Sequence, residues 1–171
     1  MNGILLLTED YLLKNNYLIL EFKIMKTIEA VKAYKIMQKV KPHAMPGAEQ
    51  IKYLQTMCAL RPISEEYEKN VDEGAKALQD DKFEEMRQKG LMHNEAVQNK
   101  TNDGLLSNSE LKEVNEYSNQ YQKSVFEFIN KLNEEDVNPA IEKLSKEAFT
   151  KLIESVELEG KDLETLYNVI V

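Results

Sequence analysis

The chain has few of the residues that build turn-rich or cross-linked folds. Its 171 residues include no Trp, one Cys, two His, four Pro and six Gly. A single cysteine excludes an internal disulfide, and secreted domains of this size usually carry paired cysteines, so we expect a reducing compartment. Scarce Pro and Gly beside abundant Leu, Ala, Glu and Lys disfavour a β-sandwich or barrel. The composition predicts one mainly α-helical, cytoplasmic domain.

Long hydrophobic runs are also missing. The apolar run from Ile4 to Leu7 is followed at once by Thr8, Glu9 and Asp10, without the basic segment of a signal peptide. No apolar stretch reaches the roughly 18 residues that a membrane span needs. We therefore expect no membrane association.

The residues of common active sites are sparse and scattered. His43 and His93 are far apart in the chain, and neither belongs to a zinc-binding motif. Cys58 falls on a predicted buried stripe with Ile51 and Leu54, where thiols are usually inert. Nucleotide-binding and acyl-transfer motifs are absent, and the acidic runs lack the spacing of a calcium loop. We predict no catalytic residue, no metal site, no cofactor and no enzyme.

The net charge of −8 is unevenly distributed. Residues 1–60 hold 8 Lys and Arg against 5 Asp and Glu, whereas residues 61–171 hold 14 against 25. An acidic body makes nucleic-acid binding by the whole surface unlikely, because such binding needs cations against phosphate. The candidate exception is a basic stripe on the first predicted helix, formed by Lys32, Lys35 and Lys39.

Residues 17–90 are predicted to form a strand and a helical hairpin. Tyr17–Ile24 alternates in the two-residue period of a half-buried strand, and residues 1–16 precede it as an N-terminal extension without a clear pattern. Met25 is an alternative start. Helices are predicted from Thr27 to about 41, over 48–60 and over 65–89 with Ser64 as N-cap; Pro62 either breaks or kinks one long helix.

Residues 91–109 are predicted to be a flexible linker, because they are rich in Asn, Asp, Gly, Ser and Thr. Ser107 and Glu110 then have capping-box spacing ahead of a long helix, 110–134. A short helix capped by Ser145, a strand near 155–159 and a last helix at 162–170 complete the segment 110–171. The predicted fold is mainly α, a hairpin or bundle of long amphipathic helices, with a small sheet joining the N-terminal and C-terminal segments.

The long helix carries one narrow apolar stripe, which we call the seam. Its members follow one another at intervals of three and four residues and are Leu111, Val114, Ser118, Tyr121, Val125, Phe128 and Leu132. So narrow a stripe requires a second helix against it. Part of the seam should close the protein's own bundle, and we predict partner contacts at Tyr117, Tyr121, Val125 and Phe128.

The layout resembles a family of small, uncharacterised proteins encoded by bacteriophages and prophages. Those proteins open with a short strand, continue as a helical hairpin with an acidic turn, here Glu66-Tyr67-Glu68, and close with acidic, apolar segments. The resemblance covers residues 17–89 and 125–171, whereas the linker and seam helix depart from it. It implies a phage or mobile-element accessory protein, associated with the virion if phage-encoded, and assigns no functional residue.

Three functions are consistent with these features. The leading hypothesis is a non-enzymatic helical protein that associates with itself or with another protein through helix 110–134. The second is an acidic mimic of nucleic acid that inhibits a basic partner. The third is an enzyme of unrecognised type.

Overall fold

The computed structural model describes residues 21–22, 24–154 and 156–171, and within them it contains six α-helices and four two-residue strands. The elements are β1 (Glu21–Phe22), β2 (Met25–Lys26), α1 (Thr27–Lys39), α2 (Gly47–Ala77), α3 (Phe83–Asn99), α4 (Asn108–Glu134), β3 (Asp136–Val137), β4 (Ala140–Ile141), α5 (Lys146–Glu154) and α6 (Gly160–Ile170). A short 3-10 turn, Pro42–Ala44, joins α1 to α2. The predicted mainly α fold with a minor β component is confirmed.

Two antiparallel strand pairs join the start of the described chain to the segment that follows α4. β1 pairs with β4, and β2 pairs with β3. The backbone N–H and the side-chain hydroxyl of Thr27 both donate to the carbonyl of Glu135, at 2.8 and 3.0 Å. The predicted strand at 155–159 is wrong, because residues 156–159 form none and Val156 and Leu158 pack against the core. Residues 1–16 and the first part of the predicted strand, 17–20, lie outside the described residues.

The hydrophobic core surrounds α1, and we call this part of the protein the head. α1 buries Ala30, Ala33, Ile36 and Met37 against side chains of α2, α5 and α6. Leu152, Leu166 and Ile170 are fully buried there, which stabilises the fold by roughly 2 kcal/mol each. Tyr53 donates to the carbonyl of Met37 at 2.9 Å and so fixes the start of α2 on α1.

α2 runs without a break from the head to Ala77, a length of about 46 Å at 1.5 Å per residue. Pro62 lies inside it and is exposed, so this proline does not separate two helices. Ser64, predicted as an N-cap, is instead buried in the middle of the helix. The actual break follows at residues 78–82, where Phe83 donates its backbone N–H to Asp80.

The apolar stripe predicted on α2 points away from the core. Ile51 and Leu54 are 59% and 48% exposed, and Cys58 is exposed as well. The buried positions include Thr56, whose hydroxyl donates to the carbonyl of Glu142 at 3.2 Å and accepts from its N–H at 2.8 Å. These two bonds satisfy the polar side chain of Thr56 in the core. α2 is therefore rotated about its axis relative to the prediction, so that Thr56 faces the core.

The predicted linker 91–109 is largely helical. α3 extends to Asn99 despite its polar residues, because Met86 and Gly90 face α4 and Ala96 is buried beside the turn at Gly104. The connection is confined to residues 100–107. Within it, Gly104 follows Asn102 and Asp103 and has a φ of +89°, a backbone conformation that favours glycine.

A second unit, residues 67–134, extends from the head, and we call it the arm. The end of α2 and then α3 lie antiparallel to α4. Tyr67 donates to Asn133 at 2.8 Å near the head, and the rings of Phe83 and Tyr121 are 4.8 Å apart further out. The predicted capping box is confirmed, because the backbone N–H of Ser107 donates to Glu110 at 2.8 Å.

Two glycines of the arm provide a matched test of this packing. A Cβ on Gly74 would overlap the ring of Phe128, whereas a Cβ on Gly90 would meet Val114 at an ordinary 3.5 Å. Gly→Ala gains the same helix propensity at both positions, about 1 kcal/mol. We expect Gly90→Ala to exceed Gly74→Ala in free energy of unfolding by about 1–3 kcal/mol, as measured by urea denaturation. Equal stabilities would contradict the packing of Phe128 on Gly74.

Candidate interaction site on the helical arm

A cleft of about 340 Å³ opens between α3 and α4. Two small residues, Gly90 and Ser118, are among those that line it, and large apolar side chains surround them. Phe83, Met86 and Leu91 contribute from α3, and Tyr117 and Tyr121 contribute from α4. The cleft thus opens at Ser118, the one small residue of the seam.

The two tyrosines present their rings to the cleft while their hydroxyls bond within the arm. Tyr121 donates to the carbonyl of Ala75 at 2.9 Å, and Tyr117 donates to the carboxylate of Asp80 at 2.5 Å. The bond of Tyr121 reaches the last turn of α2, and the bond of Tyr117 reaches the break between α2 and α3. They hold the aromatic walls in place and leave the lining mainly apolar.

The bond between Tyr117 and Asp80 changes the ionisation of both groups. Because the phenol donates to the charged carboxylate, and because the backbone N–H of Lys82 also donates to it, the pKa of Asp80 lies below its ordinary value. The same bond, together with partial desolvation, raises the pKa of Tyr117 to about 12. At neutral pH the pair is therefore a neutral phenol bound to a carboxylate.

The mouth of the cleft carries little net charge. Leu91 is 43% exposed at its edge, and the amides of Asn94 and Gln122 are exposed beside it. Arg87 also lines the cleft, and it forms a two-bond ion pair with Glu84, with both N···O distances at 2.9 Å. A cleft with such an entrance is suited to a peptide segment whose apolar side chain enters the cleft and whose polar backbone meets the amides at the rim.

The charges of α4 are confined to one side of the helix. At 100° per residue, its eight charged residues avoid a stripe that runs beside the seam. We call this stripe the neutral face, and it consists of Asn115, Ser118, Gln122, Phe126 and Ile129. Phe126 is 64% exposed on it. In a chain that is 30% charged, an uncharged face with an exposed aromatic residue has the composition of an interface.

The four predicted partner-binding residues all lie on the inner side of α4. All four are half-buried: Tyr121 and Phe128 contact α2, Tyr117 bonds to Asp80 in the break, and Val125 lies between them on the helix. Part of the seam thus closes the arm itself, and partner contact through these residues stays a prediction. The seam pattern missed Phe126, which a second stripe at spacings of three and four residues could have revealed.

The basic stripe is present on the surface of the head. Lys32, Lys35 and Lys39 are exposed on α1, and the amine of Lys35 lies 2.9 Å from the carboxylate of Glu68. A role for this stripe in binding phosphate or an acidic partner stays a prediction.

Metal-binding groups do not converge in the part of the chain that the structure describes, where no three His, Cys, Asp or Glu side chains are placed to share an ion. His43 is exposed, and His93 accepts the backbone N–H of Leu106 at 3.1 Å. Among the same residues, every helix is too short or too polar to cross a membrane.

Removing the hydroxyl of Tyr117 tests the electrostatics of the arm. We expect Tyr117→Phe to return the pKa of Asp80 toward its ordinary value of 3.8. A lowered pKa gives stability that is present above the ordinary pKa and is lost as the pH falls below it. The difference in urea midpoint between wild type and variant should therefore be largest at neutral pH and should shrink below about pH 4.

Tyr167→Phe is the matched control, because its ring packs on Phe149 in the head and not on the arm. A difference between wild type and Tyr117→Phe that stays constant with pH would argue against the coupling.

Comparisons of this chain with protein-family models, with curated proteins and with solved structures find no match.

Proposed function

We propose that this chain is a non-enzymatic association protein that binds a protein partner through the arm. The observation that carries the proposal is the apolar cleft between α3 and α4, which opens beside the neutral face. Leu91 is exposed at the edge of the cleft and Phe126 is exposed on the neutral face, and exposed apolar surface of this kind often marks an interaction site.

The lining favours a protein partner over a small substrate. Sites for small molecules place a few free polar groups inside an apolar pocket. Here the hydroxyls of Tyr117 and Tyr121 already bond within the arm, and the amides of Asn94 and Gln122 stand at the rim. A rim of amides around an apolar centre is the usual arrangement of protein interfaces.

The acidic-mimic alternative has less support. Several carboxylates along the arm are paired with neighbouring cations, as in Glu84 with Arg87 and Glu85 with Lys89. Paired carboxylates offer a weak field to a basic partner. A role as a phage or mobile-element accessory protein belongs to the proposal through the resemblance alone.

Filling the cleft should abolish association without unfolding the arm. Gly90→Ala with Ser118→Leu adds apolar volume to a cavity of about 340 Å³. We expect unchanged or higher stability in urea, because helix propensity and burial both increase. We expect at least a tenfold loss of association, since a central pocket dominates binding energy.

Association is measured in two ways. Light scattering at several concentrations reports self-association, and the immobilised chain, compared with the filled variant, reports capture of a partner from an extract of the source organism. Gln120→Leu, on the charged side of α4, is the control that adds an apolar side chain outside the cleft. A monomer that captures nothing, or capture that the filled variant retains, would contradict the proposal.

A further inference from the structure

We infer that His93 is a pH-sensitive latch, which ties the connection between α3 and α4 to α3 at neutral pH and releases it when the imidazole gains a proton. A single hydrogen bond forms the latch, since the backbone N–H of Leu106 donates to Nδ1 of His93 at 3.1 Å. The bond lies at the outer end of the arm, and neither residue lines the cleft. The latch is therefore a property of the chain beyond its proposed function.

This bond is the tether of the second half of the connection. The first half continues the end of α3, because Thr101 donates its backbone N–H to the carbonyl of Ala96. Further along, Leu105 donates only within the connection. Among the residues that the structure describes, the bond to His93 is the one hydrogen bond that joins residues 102–107 to α3.

The tether holds apolar groups against the end of α3. Leu106 is half-buried where it bonds to His93. Gly104 lies close to the same helix, because a Cβ on it would come 3.1 Å from the carbonyl oxygen of Met92. Leu105 is already exposed beside them. Release of the tether should therefore expose further apolar surface at this end of the arm, with Leu106 as its main contributor.

Protonation of His93 and its bond to Leu106 exclude one another. A ring nitrogen that accepts a hydrogen bond carries no proton, so the neutral imidazole holds its proton on Nε2. A second proton can bind only at Nδ1. The imidazolium then presents an N–H to the N–H of Leu106, and two donors form no bond. Imidazoles in general gain this proton as the pH falls below about 6.5.

Charged groups surround His93 from three elements, and they are Lys89 of α3, Glu110 and Glu113 of α4, and Asp103 of the connection. Lys89 lies one helical turn before His93, and both glutamates raise its pKa. Lys89 is already paired with Glu85 at 2.6 Å, and Glu110 accepts the N–H of Ser107. Within the described part of the chain no carboxylate forms an ion pair with His93, so none is in place to stabilise the imidazolium.

Amide hydrogen exchange at Leu106 in the full chain tests the latch. The protection factor corrects the exchange rate for its intrinsic dependence on pH. We expect this factor to fall by about tenfold between about pH 7.5 and about pH 5, because the amide loses its acceptor. Nitrogen NMR of the neutral imidazole should show its proton on Nε2.

Two substitutions at His93 separate the bond from the charge. His93→Asn places an amide oxygen near the position of Nδ1 without titrating, so the protection of Leu106 should be kept at both pH values. His93→Phe keeps a ring and removes the acceptor, so protection should be low at both. His43→Asn, in the exposed turn that joins α1 to α2, is the matched control and should keep the wild-type response.

Three results would overturn the inference. They are a wild-type protection factor that is the same at both pH values, a pH response that His93→Asn retains, and a neutral His93 with its proton on Nδ1. A chain that binds no partner would contradict the proposed function and leave the latch untouched.

Discussion

The whole structure depends on covering one apolar stripe along a helix about 40 Å long. The head is too small to cover it, so two different helices do so in turn. The end of α2 covers the part near Phe128, and α3 covers the part near Val114. The break between α2 and α3 lets each adjust its own distance to α4, and Asp80 in that break is tied to α4 by Tyr117. The cleft is the consequence of this division, because it lies just beyond the break where small residues meet.

α4 therefore has three longitudinal surfaces with different roles. The seam holds the arm together, the charged side keeps the arm hydrated, and the neutral face belongs to neither of these roles. Exposed ion pairs such as Lys112 with Glu116 contribute little to stability, but they mark the side that faces solvent. By contrast, the side chain of Phe126 is exposed to solvent although it has no polar group. The proposed association surface would explain why an aromatic side chain is exposed at this position.

The local features of the fold were predictable from sequence, and the long-range ones were not. The bounds of α4 followed from a capping box and a regular seam, and α1 followed from its own stripe. The rotation of α2 was hidden because Thr56 is satisfied by the backbone of Glu142, 86 residues away. Most of the predicted linker is helical because the packing of a few inner residues stabilises the helix, although the composition of the segment is polar. Strands of two residues have no period of their own, so their pairing could not be predicted. For the site, the seam correctly identified α4 from the sequence. The cleft could not be predicted, because it depends on Gly90 and Ser118, which only the tertiary fold brings together.

The continuity of α2 through Pro62 has a mechanical consequence. The same rigid rod holds Tyr53 in the core and Gly74 in the arm, and no joint separates them. A force applied to the arm between the head and Ala77 is therefore transmitted to the packing around α1 instead of being absorbed by bending. The rod ends at the break at residues 78–82, but α4 passes that level without interruption from Asn108 to Glu134, so a force on the outer arm also reaches the head through α4.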